Sequence, residues 1–458
     1  MLGKRTSGRR RRSVAGLGTL ALVATAAGVG IDAGPATAAF PGRNGRILCS
    51  KTTTNSEIVA YNPDGSDPRQ LTFNPAADIE PTMSPDGTRI AWTSTRDSGD
   101  QEIWIMYEDG SGAKRLTFTP GEDRPGTFSP DGTQISFQTA RFPASSPGPG
   151  HSSLEIMRMN IDGSNPIRLT NNDFQDSFAH WSPLGDRIAF TTNRDQPADQ
   201  PASSNYFEIY TMNASDGSNP VNVTNSLGED SHAHWSPDGT MLTYHSRRDF
   251  VPNPGATQVE IYRSNADGTN PVRLTGPDNV FDIFPVWSPD GTKIAWPHDF
   301  PGDLWTMNAA DGSGKVALTT TPDDESRCDW SRLLPCTISG SGNILGTPGD
   351  DVICGSAGND SIAGLGGNDV IYAGAGNDSV SAGDGNDIVF GDHGDDRILG
   401  DAGNDMLFGD QENDQLSGGA GDDVVSGSEG TDQVGGSDGN DECYAESIRG
   451  CELPAPQL

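Results

Sequence analysis

The sequence predicts an all-β protein in which a six-bladed β-propeller is followed by a parallel β-roll. Residues from about 44 to 330 repeat six times, every 40–54 residues. Residues 346–444 contain eleven nonapeptides in unbroken register. Fixed periods of this kind are typical of propellers and solenoids. No alternation of helical and strand patterns occurs, which argues against a doubly wound α/β enzyme.

Composition narrows the class of partner. The 458 residues include 64 acidic and 30 basic side chains, giving a formal net charge of -34. Nucleic acids and anionic membranes both require a cationic protein face, so neither is an expected partner. We expect a signal peptide at 1–38, a propeller at 40–332, a β-roll at 337–444 and a tail at 445–458.

The N-terminal segment has the pattern of a secretory signal. Lys4, Arg5 and the arginines at 9–12 precede an apolar stretch at 14–30, and small residues at 36–38 fit a cleavage site. A membrane anchor is the alternative, although about 17 weakly apolar residues are short for a span. The arginine pair at 11–12 leaves twin-arginine export open. We expect a secreted, extracellular protein with no stable membrane anchor.

Each long repeat contains four short apolar runs separated by turns. The first run ends in an aromatic residue or methionine, at Met83, Phe128, Trp181, Trp235, Trp287 and Trp330. A Ser-Pro-Asp-Gly turn follows at 84–87, 129–132, 236–239 and 288–291. Proline presets φ and glycine permits positive φ, so these are tight hairpin turns. An Asp-Gly turn separates the third and fourth runs in all six repeats. Four antiparallel strands per repeat predict a propeller blade.

The phase of the repeats predicts how the propeller closes. The chain enters at the second strand of a blade, at 46–49, and leaves with a first strand at 326–330. The last strand should therefore complete the first blade. In the hairpin register of the other blades, Cys328 falls opposite Cys49, so a disulfide should join the two strands.

The pattern D-x-x-P-x-W-S-P-D-G-T-x-I-A-W resembles the PD40, or WD40-like, repeats of TolB-like six-bladed propellers. The resemblance covers roughly 290 residues. It implies a scaffold that binds an unidentified extracellular protein or glycan. Some TolB-like propellers are polysaccharide lyases that bind a metal through histidines in the channel. An extracellular polysaccharide lyase or hydrolase using the propeller channel is therefore the alternative function.

Two sets of polar residues recur within the repeats. His180 and His234 share one repeat position, and His232 precedes His234 by two residues. We expect these histidines in the core or the channel, because no full set of metal ligands or catalytic residues can be assembled around them. An acidic residue lies five positions before each blade-ending residue, at Asp78, Asp123, Asp176, Asp230, Asp282 and Glu325. These carboxylates should either accept backbone hydrogen bonds or bind a cation or cationic peptide at one mouth of the channel.

The nonapeptides follow the pattern G-x-x-G-N-D-x-U-x. The eighth residue is apolar or cysteine throughout. The sixth residue is always aspartate, at Asp351, Asp360, Asp369, Asp378, Asp387, Asp396, Asp405, Asp414, Asp423, Asp432 and Asp441. This pattern resembles the RTX, hemolysin-type calcium-binding repeat.

Calcium chemistry accounts for these residue types. Glycine allows loop conformations that aim carbonyl oxygens at one point, and each aspartate adds an anionic oxygen. Ca²⁺ takes six to eight oxygens at about 2.3–2.6 Å. The sequence therefore predicts several Ca²⁺ ions held by the eleven aspartates in a parallel β-roll.

Charge predicts that calcium and folding are coupled in this region. Residues 346–444 carry 22 acidic side chains and one base, Arg397. Without cations the segment repels itself and has little apolar surface to bury, so we expect it to be disordered. Calcium binding would then supply the free energy of folding.

Six cysteines in an exported chain suggest disulfides, although six cysteines allow fifteen pairings. Cys336 and Cys354 bracket the first turn of the roll, and Cys443 and Cys451 bracket a loop at its open end. Because the ends of solenoids need capping, we predict these two pairs in addition to Cys49–Cys328.

One side of the roll should be apolar. Positions seven and nine point outward, and on one sheet they hold Val370, Tyr372, Ile388, Phe390, Met406, Phe408 and Val424. On the other sheet the same positions are mostly polar. An apolar stripe of this size commonly marks an interface. Packing against the propeller, homodimerisation and an external partner are all open, as is a ladder that only stiffens the sheet.

Overall fold

The computed structural model describes residues 43–97, 99–142, 154–196, 206–226, 228–250, 259–276, 280–300, 302–445 and 447–451. The expected signal peptide, His151 and the tail beyond residue 451 lie outside these ranges. The described chain is almost entirely β-structure, with one 3-10 helix at Arg248–Phe250. Within these ranges, no helix is both long and apolar enough to span a bilayer.

The first part of the described chain forms six four-stranded antiparallel sheets. The first blade contains β1 (Arg43–Thr52), β2 (Ser56–Tyr61) and β3 (Arg69–Gln70). The second contains β4 (Asp78–Met83), β5 (Arg89–Ser94), β6 (Glu102–Tyr107) and β7 (Lys114–Arg115). The third contains β8 (Asp123–Phe128), β9 (Gln134–Thr139), β10 (Glu155–Asn160) and β11 (Ile167–Arg168).

The remaining blades repeat this plan. The fourth contains β12 (Asp176–Trp181), β13 (Arg187–Thr192), β14 (Glu208–Asn213) and β15 (Val221–Asn222). The fifth contains β16 (Asp230–Trp235), β17 (Met241–Ser246), β18 (Glu260–Asn265) and β19 (Val272–Arg273). The sixth contains β20 (Val286–Trp287), β21 (Lys293–Pro297), β22 (Leu304–Asn308) and β23 (Val316–Ala317). The predicted six-bladed propeller is confirmed.

The last propeller strand closes the ring. Strand β24 (Asp324–Leu333) pairs antiparallel with β1, so the first blade has the order β24-β1-β2-β3. A disulfide joins Cys49 of β1 to Cys328 of β24, with 4.1 Å between their Cα atoms. Both features confirm the closure predicted from the phase of the repeats.

Apolar cores lie between neighbouring blades because each blade buries both of its faces. Ile58 of the first blade packs with Ile90, Trp92 and Trp104 of the second. Trp92 and Ile58 are fully buried. Packing of this kind holds adjacent blades in a fixed relation, which in turn fixes the side chains that line the central channel.

The second part of the described chain is a two-sheet parallel β-roll. Its first strands are β25 (Ile338–Ser339), β26 (Asn343–Leu345), β27 (Val352–Cys354), β28 (Ser361–Gly366), β29 (Val370–Ala375), β30 (Ser379–Asp384) and β31 (Ile388–His393). Its later strands are β32 (Arg397–Ala402), β33 (Met406–Phe408), β34 (Gln415–Ala420), β35 (Val424–Ser426), β36 (Gln433–Asp438), β37 (Glu442–Tyr444) and β38 (Ser447–Arg449). Odd-numbered strands form one seven-stranded sheet and even-numbered strands form the other. Residues eighteen apart pair between neighbouring strands, as Ile371 does with Val389.

The core of the roll consists of the eighth residues of the nonapeptides, as predicted. Ile353, Ile371, Val389 and Leu407 are fully buried in one continuous cluster. Disulfides Cys336–Cys354 and Cys443–Cys451 close its two ends. All three predicted pairings are therefore confirmed.

The apolar stripe of the roll packs against the propeller. Phe390, 9% exposed, and Phe408, 0% exposed, form a cluster with Tyr107 at the end of β6. Phe390 and Phe408 stack with ring centroids 5.4 Å apart, and Tyr107 lies 6.1 Å from Phe408. Of the alternatives that the sequence left open, the structure shows the contact with the propeller. We term the odd-numbered strands the docked sheet and the even-numbered strands the outer sheet.

Candidate metal centre and propeller channel

The sixth-position aspartates form a hydrogen-bonded row, which we term the aspartate ladder. In the nine aspartates from Asp351 to Asp423, the backbone N–H donates to the carboxylate Oδ1 of the aspartate eighteen residues later. The distance from Asp387 N to Asp405 Oδ1 is 2.8 Å, and that from Asp405 N to Asp423 Oδ1 is 2.9 Å. The same bond joins Asp351 to Asp369 at 2.8 Å. Parallel stacking with an eighteen-residue register thus brings alternate aspartates into two rows, one along each edge of the roll.

The hydrogen bonding of the second carboxylate oxygen, Oδ2, varies along the ladder. In seven aspartates the Oδ2 atom is buried and has no hydrogen-bond partner within the described residues; they are Asp369, Asp378, Asp387, Asp396, Asp405, Asp414 and Asp423. A buried anionic oxygen without a partner is costly, so its recurrence along the ladder fits a binding site for cations.

The first two aspartates of the ladder satisfy this oxygen within the chain. Asp351 Oδ2 accepts hydrogen bonds from the backbone N–H and the hydroxyl of Thr347, at 2.7 and 2.8 Å. Asp360 Oδ2 accepts the equivalent bonds from Ser356, at 2.7 and 2.9 Å. A hydroxyl at the second position of the nonapeptide therefore occupies the oxygen that later repeats leave open.

In five of these seven repeats, glycine at the first position keeps space beside the open oxygen, and Ala373 and Ala382 occupy that position in the other two. A methyl group placed on Gly391 would lie 2.6 Å from Asp396 Oδ2 and 2.6 Å from the carbonyl oxygen of Gly409. Gly400 has the same relation to Asp405 Oδ2 and Gly418. A carboxylate oxygen and a carbonyl oxygen therefore flank one gap, and hard oxygen donors of this type suit Ca²⁺.

Electrostatics in the ladder favour a bound cation. Burial raises the pKa of Asp396 to about 8, the backbone hydrogen bond from Asp378 opposes that rise, and neighbouring carboxylates add to it. Burial likewise raises the pKa of Asp405 and of Asp414 to about 7. Carboxyl groups that resist ionisation when folded gain most from a nearby divalent cation.

In the propeller, the six recurrent carboxylates are buried structural groups. We expected backbone donors or a bound cation, but in four blades the partner is an arginine eighteen residues later. Asp78 pairs with Arg96 at 2.8 Å, and Asp230 pairs with Arg248 at 3.0 Å. Asp123–Arg141 and Asp176–Arg194 are equivalent pairs. The expectation of backbone partners was wrong. In these four blades the loop after the second strand brings an arginine back to the start of the first strand, where it pairs with the carboxylate.

The other two blades replace this arginine with different donors. Asp282 accepts bonds from Trp296 Nε1 at 2.9 Å and from His298 Nδ1 at 2.7 Å. Glu325 accepts a bond from the hydroxyl of Tyr61 at 2.8 Å, with Lys51 Nζ 3.8 Å away. These carboxylates therefore do not present a ring of negative charge to a channel ligand.

One mouth of the channel opens between the Ser-Pro turns, and we term this cavity the channel mouth. Its volume is about 210 Å³. Five prolines contribute to its rim: Pro85, Pro130, Pro183, Pro237 and Pro289. Its polar lining includes His180, His234 and Asp329. A concave, mostly apolar cavity with a few convergent polar groups is the usual form of a ligand site.

His180, His234 and Asp329 lie together at the channel mouth. The rings of His180 and His234 are 5.3 Å apart, and His234 Nε2 is 3.8 Å from Asp329 Oδ1. Burial lowers the pKa of His180 to about 3, so its ring is neutral, and its Nδ1 is buried with no hydrogen-bond partner among the described residues. Asp329 was not predicted, although it occupies the repeat position of His180 and His234, directly before a blade-ending tryptophan. Of the two locations expected for His180 and His234, the core or the channel, the structure places them at the channel mouth.

Asp329 also ties the closing strand to the second blade. Its Oδ2 accepts hydrogen bonds from Met83 N at 2.9 Å and Thr82 Oγ1 at 3.1 Å. Although burial alone would raise the pKa of Asp329, the interaction with His234 and these hydrogen bonds lower it. Asp329 is therefore an ionised group that orients His234.

In five blades, a backbone irregularity in the first strand, or just before it in the sixth blade, directs a third set of side chains inward. Residues with left-handed φ between 47° and 59° occupy equivalent positions, at Glu80, Phe178, His232, Phe284 and Arg327. They line a narrower cavity of about 80 Å³. His232 stacks with His245 there, and burial lowers the pKa of both rings. These five positions were not predicted from the sequence, since only their recurrence two residues after a buried carboxylate distinguishes them.

Neither His180 and His234 nor His232 and His245 belong to a cluster of metal ligands among the described residues. In the parts of the chain that the structure describes, no three His, Cys, Asp or Glu side chains are grouped so that they could hold a metal ion. An ion in the roll would therefore take carbonyl oxygens as well as carboxylate oxygens, and both types of oxygen flank the gap beside Gly391.

Comparison with known proteins agrees with the two-part architecture. The model for the RTX calcium-binding nonapeptide repeat matches residues 345–380, 374–407 and 408–443. This part of the chain therefore consists of RTX calcium-binding repeats. The uncharacterised protein Atu1656 of Agrobacterium fabrum is 28% identical over 157 residues, which are 32% of this chain and 48% of that protein. The chain spans about half the length of this curated relative.

Solved structures resemble the propeller. TolB from Acinetobacter baumannii has a TM-score of 0.50 at 21% identity, covering 63% of this chain and 66% of that chain. Hydrazine synthase from Kuenenia stuttgartiensis has a TM-score of 0.52 at 16% identity, covering 64% of this chain and 47% of that chain. At these identities the similarity shows the fold alone. The chain thus combines a TolB-like propeller fold with an RTX β-roll and spans just under two thirds of the TolB chain.

Proposed function

We propose that the chain is a secreted calcium-binding protein in which Ca²⁺ folds the roll and the propeller serves as a binding scaffold. The observation that carries the calcium assignment is the row of buried Oδ2 atoms without partners, from Asp369 to Asp423. Asp432 and Asp441 continue the same ladder. At Asp351 and Asp360 a cation would first have to displace the bonds from Thr347 and Ser356.

Folding of the roll by calcium would also allow the roll to dock on the propeller. The docked sheet contacts the propeller through a buried ion pair between Arg69 and Asp410, at 3.0 Å. Tyr107 donates a hydrogen bond to Glu442 at 3.1 Å, and Ser428 donates one to Asp109 at 2.9 Å. These contacts require a folded roll, so the roll and its docking should appear together when calcium is added.

Calcium titration of the full chain tests this proposal. After treatment with EDTA, the chain should lose β-structure by circular dichroism and become sensitive to protease within 346–444. Added Ca²⁺ should restore both properties, with several ions bound per chain by calorimetry. A full β-spectrum and unchanged protease resistance in excess EDTA would refute calcium-coupled folding.

Secretion is supported by the three disulfides, because disulfides persist in oxidising compartments. The proposal places cleavage of the signal after residue 38. N-terminal sequencing of the protein recovered from culture medium tests this directly, and a chain retained in the cell with residues 1–38 intact would contradict it.

The channel mouth is the surface of the propeller that we propose binds a protein or glycan. Its proline rim and apolar lining surround His180, which keeps an open Nδ1 acceptor or donor. Capture from the native secretome on immobilised, calcium-loaded protein would identify the partner. Replacement of Pro183 and Pro237 by serine should reduce capture, whereas replacement of exposed Phe73 should not.

An extracellular polysaccharide lyase or hydrolase is the second candidate. The pair of His234 with Asp329, next to neutral His180, favours it because an oriented imidazole can act as a general base. A screen of polysaccharides with the calcium-loaded protein would detect activity. His234→Gln should abolish that activity while leaving the calcium content unchanged, and an active His234→Gln variant would exclude this base.

A further inference from the structure

A second cavity lies where the propeller meets the docked sheet. Its volume is about 270 Å³. Arg43, Arg332 and Met83 line it from the propeller, and Tyr372 and Phe390 line it from the roll. Cavities between domains are common places for small ligands. We term it the interdomain cavity.

One wall of the interdomain cavity carries positive charge that the chain does not compensate. Arg43 and Arg332 form no ion pair with a carboxylate in the described ranges. The Nε atom of Arg332 is buried and has no hydrogen-bond partner there. Leaving a buried guanidinium donor unpaired is costly, so an anionic acceptor is expected nearby.

Tyr372 lies between these two arginines. Arg43 lies over its ring at 5.3 Å from the centroid. The tyrosine hydroxyl already accepts a hydrogen bond from Leu334 N at 3.2 Å. Asp86, whose charge raises the pKa of the Tyr372 hydroxyl, bonds through Oδ1 to Ser84 and Thr88 of its own turn and forms no ion pair with either arginine in the described ranges.

The cavity lining also contains three acids, Glu108, Asp392 and Asp410. Asp410 pairs with Arg69, and the charge of Arg69 also acts on Glu108 and Asp392. Burial raises the pKa of Tyr372, whereas Arg43 and Arg332 oppose that rise. The acids are thus grouped with Arg69, and we term Arg43 and Arg332, which have no carboxylate partner among the described residues, the cationic side of the cavity.

We propose that the cationic side of the interdomain cavity binds a small organic carboxylate, with Arg332 and Arg43 as the donors. The volume restricts the ligand to a small molecule, and the side chains of Tyr372, Phe390 and Met83 suit an apolar ring attached to the carboxylate. Guanidinium groups pair with carboxylates through short, charge-assisted hydrogen bonds. Because seven of the nineteen lining residues come from the roll, the site exists only when the roll is folded, and to that extent it rests on the proposed calcium-coupled function.

Benzoate and benzamide provide matched probes, since they share shape and differ in the carboxylate. With the full chain in Ca²⁺, calorimetry or ligand-observed NMR should show benzoate binding at least about tenfold more tightly than benzamide. Arg332→Met removes the donors while keeping chain length, and it should abolish this preference. Arg449→Met, on an exposed residue of the outer sheet, is the control that should change nothing.

The outcomes of these measurements decide the proposal. Equal binding of benzoate and benzamide, or an unchanged preference in Arg332→Met, would overturn the proposal. If Arg332→Met fails to fold, as shown by loss of the tryptophan fluorescence of the native chain, Arg43→Met takes its place with the same expected loss. Benzoate binding that persists in EDTA but disappears in Arg332→Met would support the site and refute calcium-coupled folding instead.

Discussion

Replacing Asp405 with asparagine should have opposite effects with and without calcium. Asparagine keeps the Oδ1 atom that accepts the hydrogen bond from Asp387 N, at 2.8 Å, and replaces the buried Oδ2 with an uncharged amide. The carbonyl oxygen of Gly418 lies beside the same gap and can accept from that amide. In the calcium-free chain the substitution should therefore stabilise the folded roll by on the order of 1–3 kcal/mol, the cost of an unsatisfied buried polar group.

In calcium the same substitution removes an anionic ligand. We expect at least one ion fewer per chain and a lower stability of the roll than in the wild type. Asp395→Asn is the matched control, because it makes the same change of charge at an exposed fifth position of the nonapeptide. Asp395 Oδ1 accepts from Asn413 N at 3.1 Å, and asparagine occupies that position in neighbouring repeats. Asp395→Asn should therefore be close to neutral in both conditions.

The assay can separate the two domains, since all eight tryptophans precede residue 331 and lie in the propeller. In Ca²⁺, unfolding in urea that changes the far-ultraviolet circular dichroism without changing tryptophan fluorescence reports the roll. In EDTA, where the wild-type roll is expected to be unfolded, the stabilisation is measured as a gain of β-structure by circular dichroism. The stabilisation in EDTA should also depend on pH. Burial raises the folded pKa of Asp405 to about 7, against about 3.9 when unfolded, so the penalty is absent below about pH 4 and grows up to about pH 7. Equal behaviour of Asp405→Asn and Asp395→Asn in both conditions would refute the ladder as the calcium site.

Three further predictions follow from the contacts. Calcium affinity should rise up to about pH 5 and then level off, because the aspartates of the unfolded, calcium-free roll have an ordinary pKa of about 3.9. A further rise to about pH 8 with protons released on binding, measured by calorimetry in two buffers of different ionisation enthalpy, would instead show a roll that is folded without calcium, in which burial raises the pKa of Asp396 to about 8. Tyr107→Ala should destabilise the docked roll by about 3–5 kcal/mol and expose residues 334–337 to protease in Ca²⁺, whereas Phe73→Ala, at an exposed aromatic, should not. Replacing Cys49 and Cys328 by serine should lower the stability of the propeller by about 2–5 kcal/mol in the tryptophan-monitored transition, and an unchanged midpoint would contradict a stabilising role for the closure.

Periodicity made most of the architecture predictable. The six-fold repeat located the blades, and its phase placed β24 beside β1 and Cys328 beside Cys49. The nine-residue period likewise assigned each residue of the roll to the core, a loop or an outer face, which is why the stripe containing Phe390 and Phe408 could be recognised before its partner was known. Strict repeats convert sequence position into spatial position, so these inferences needed no knowledge of long-range contacts.

Features that depend on contacts between different parts of a blade were not predictable in the same way. An arginine follows four of the buried carboxylates at a constant spacing of eighteen residues, as Arg96 follows Asp78. This spacing did not predict an ion pair, because an arginine in a loop is usually solvated. Asp329 occupies the same repeat position as His180 and His234, but an aspartate among histidines at that position did not by itself indicate a contact between them. Tyr107 could not be identified as the partner of the stripe, since docking brings together residues about 300 positions apart that share no pattern.

Comparison of Asp360 with the aspartates from Asp369 to Asp423 indicates what the ion contributes to the roll. At Asp360 the hydrogen bond from a backbone N–H to Oδ1 is present, and Ser356 supplies donors to Oδ2, so this turn is complete without a cation. From Asp369 to Asp423 the Oδ1 bond is equally present, but the second-position residue is leucine, glycine or aspartate and its side chain cannot serve as a donor. The backbone pattern is thus the same in both classes of turn, and only the compensation of Oδ2 differs. Calcium in this roll therefore serves to neutralise buried charge more than to define the path of the chain, which is why a neutral asparagine at position 405 should reproduce part of its effect.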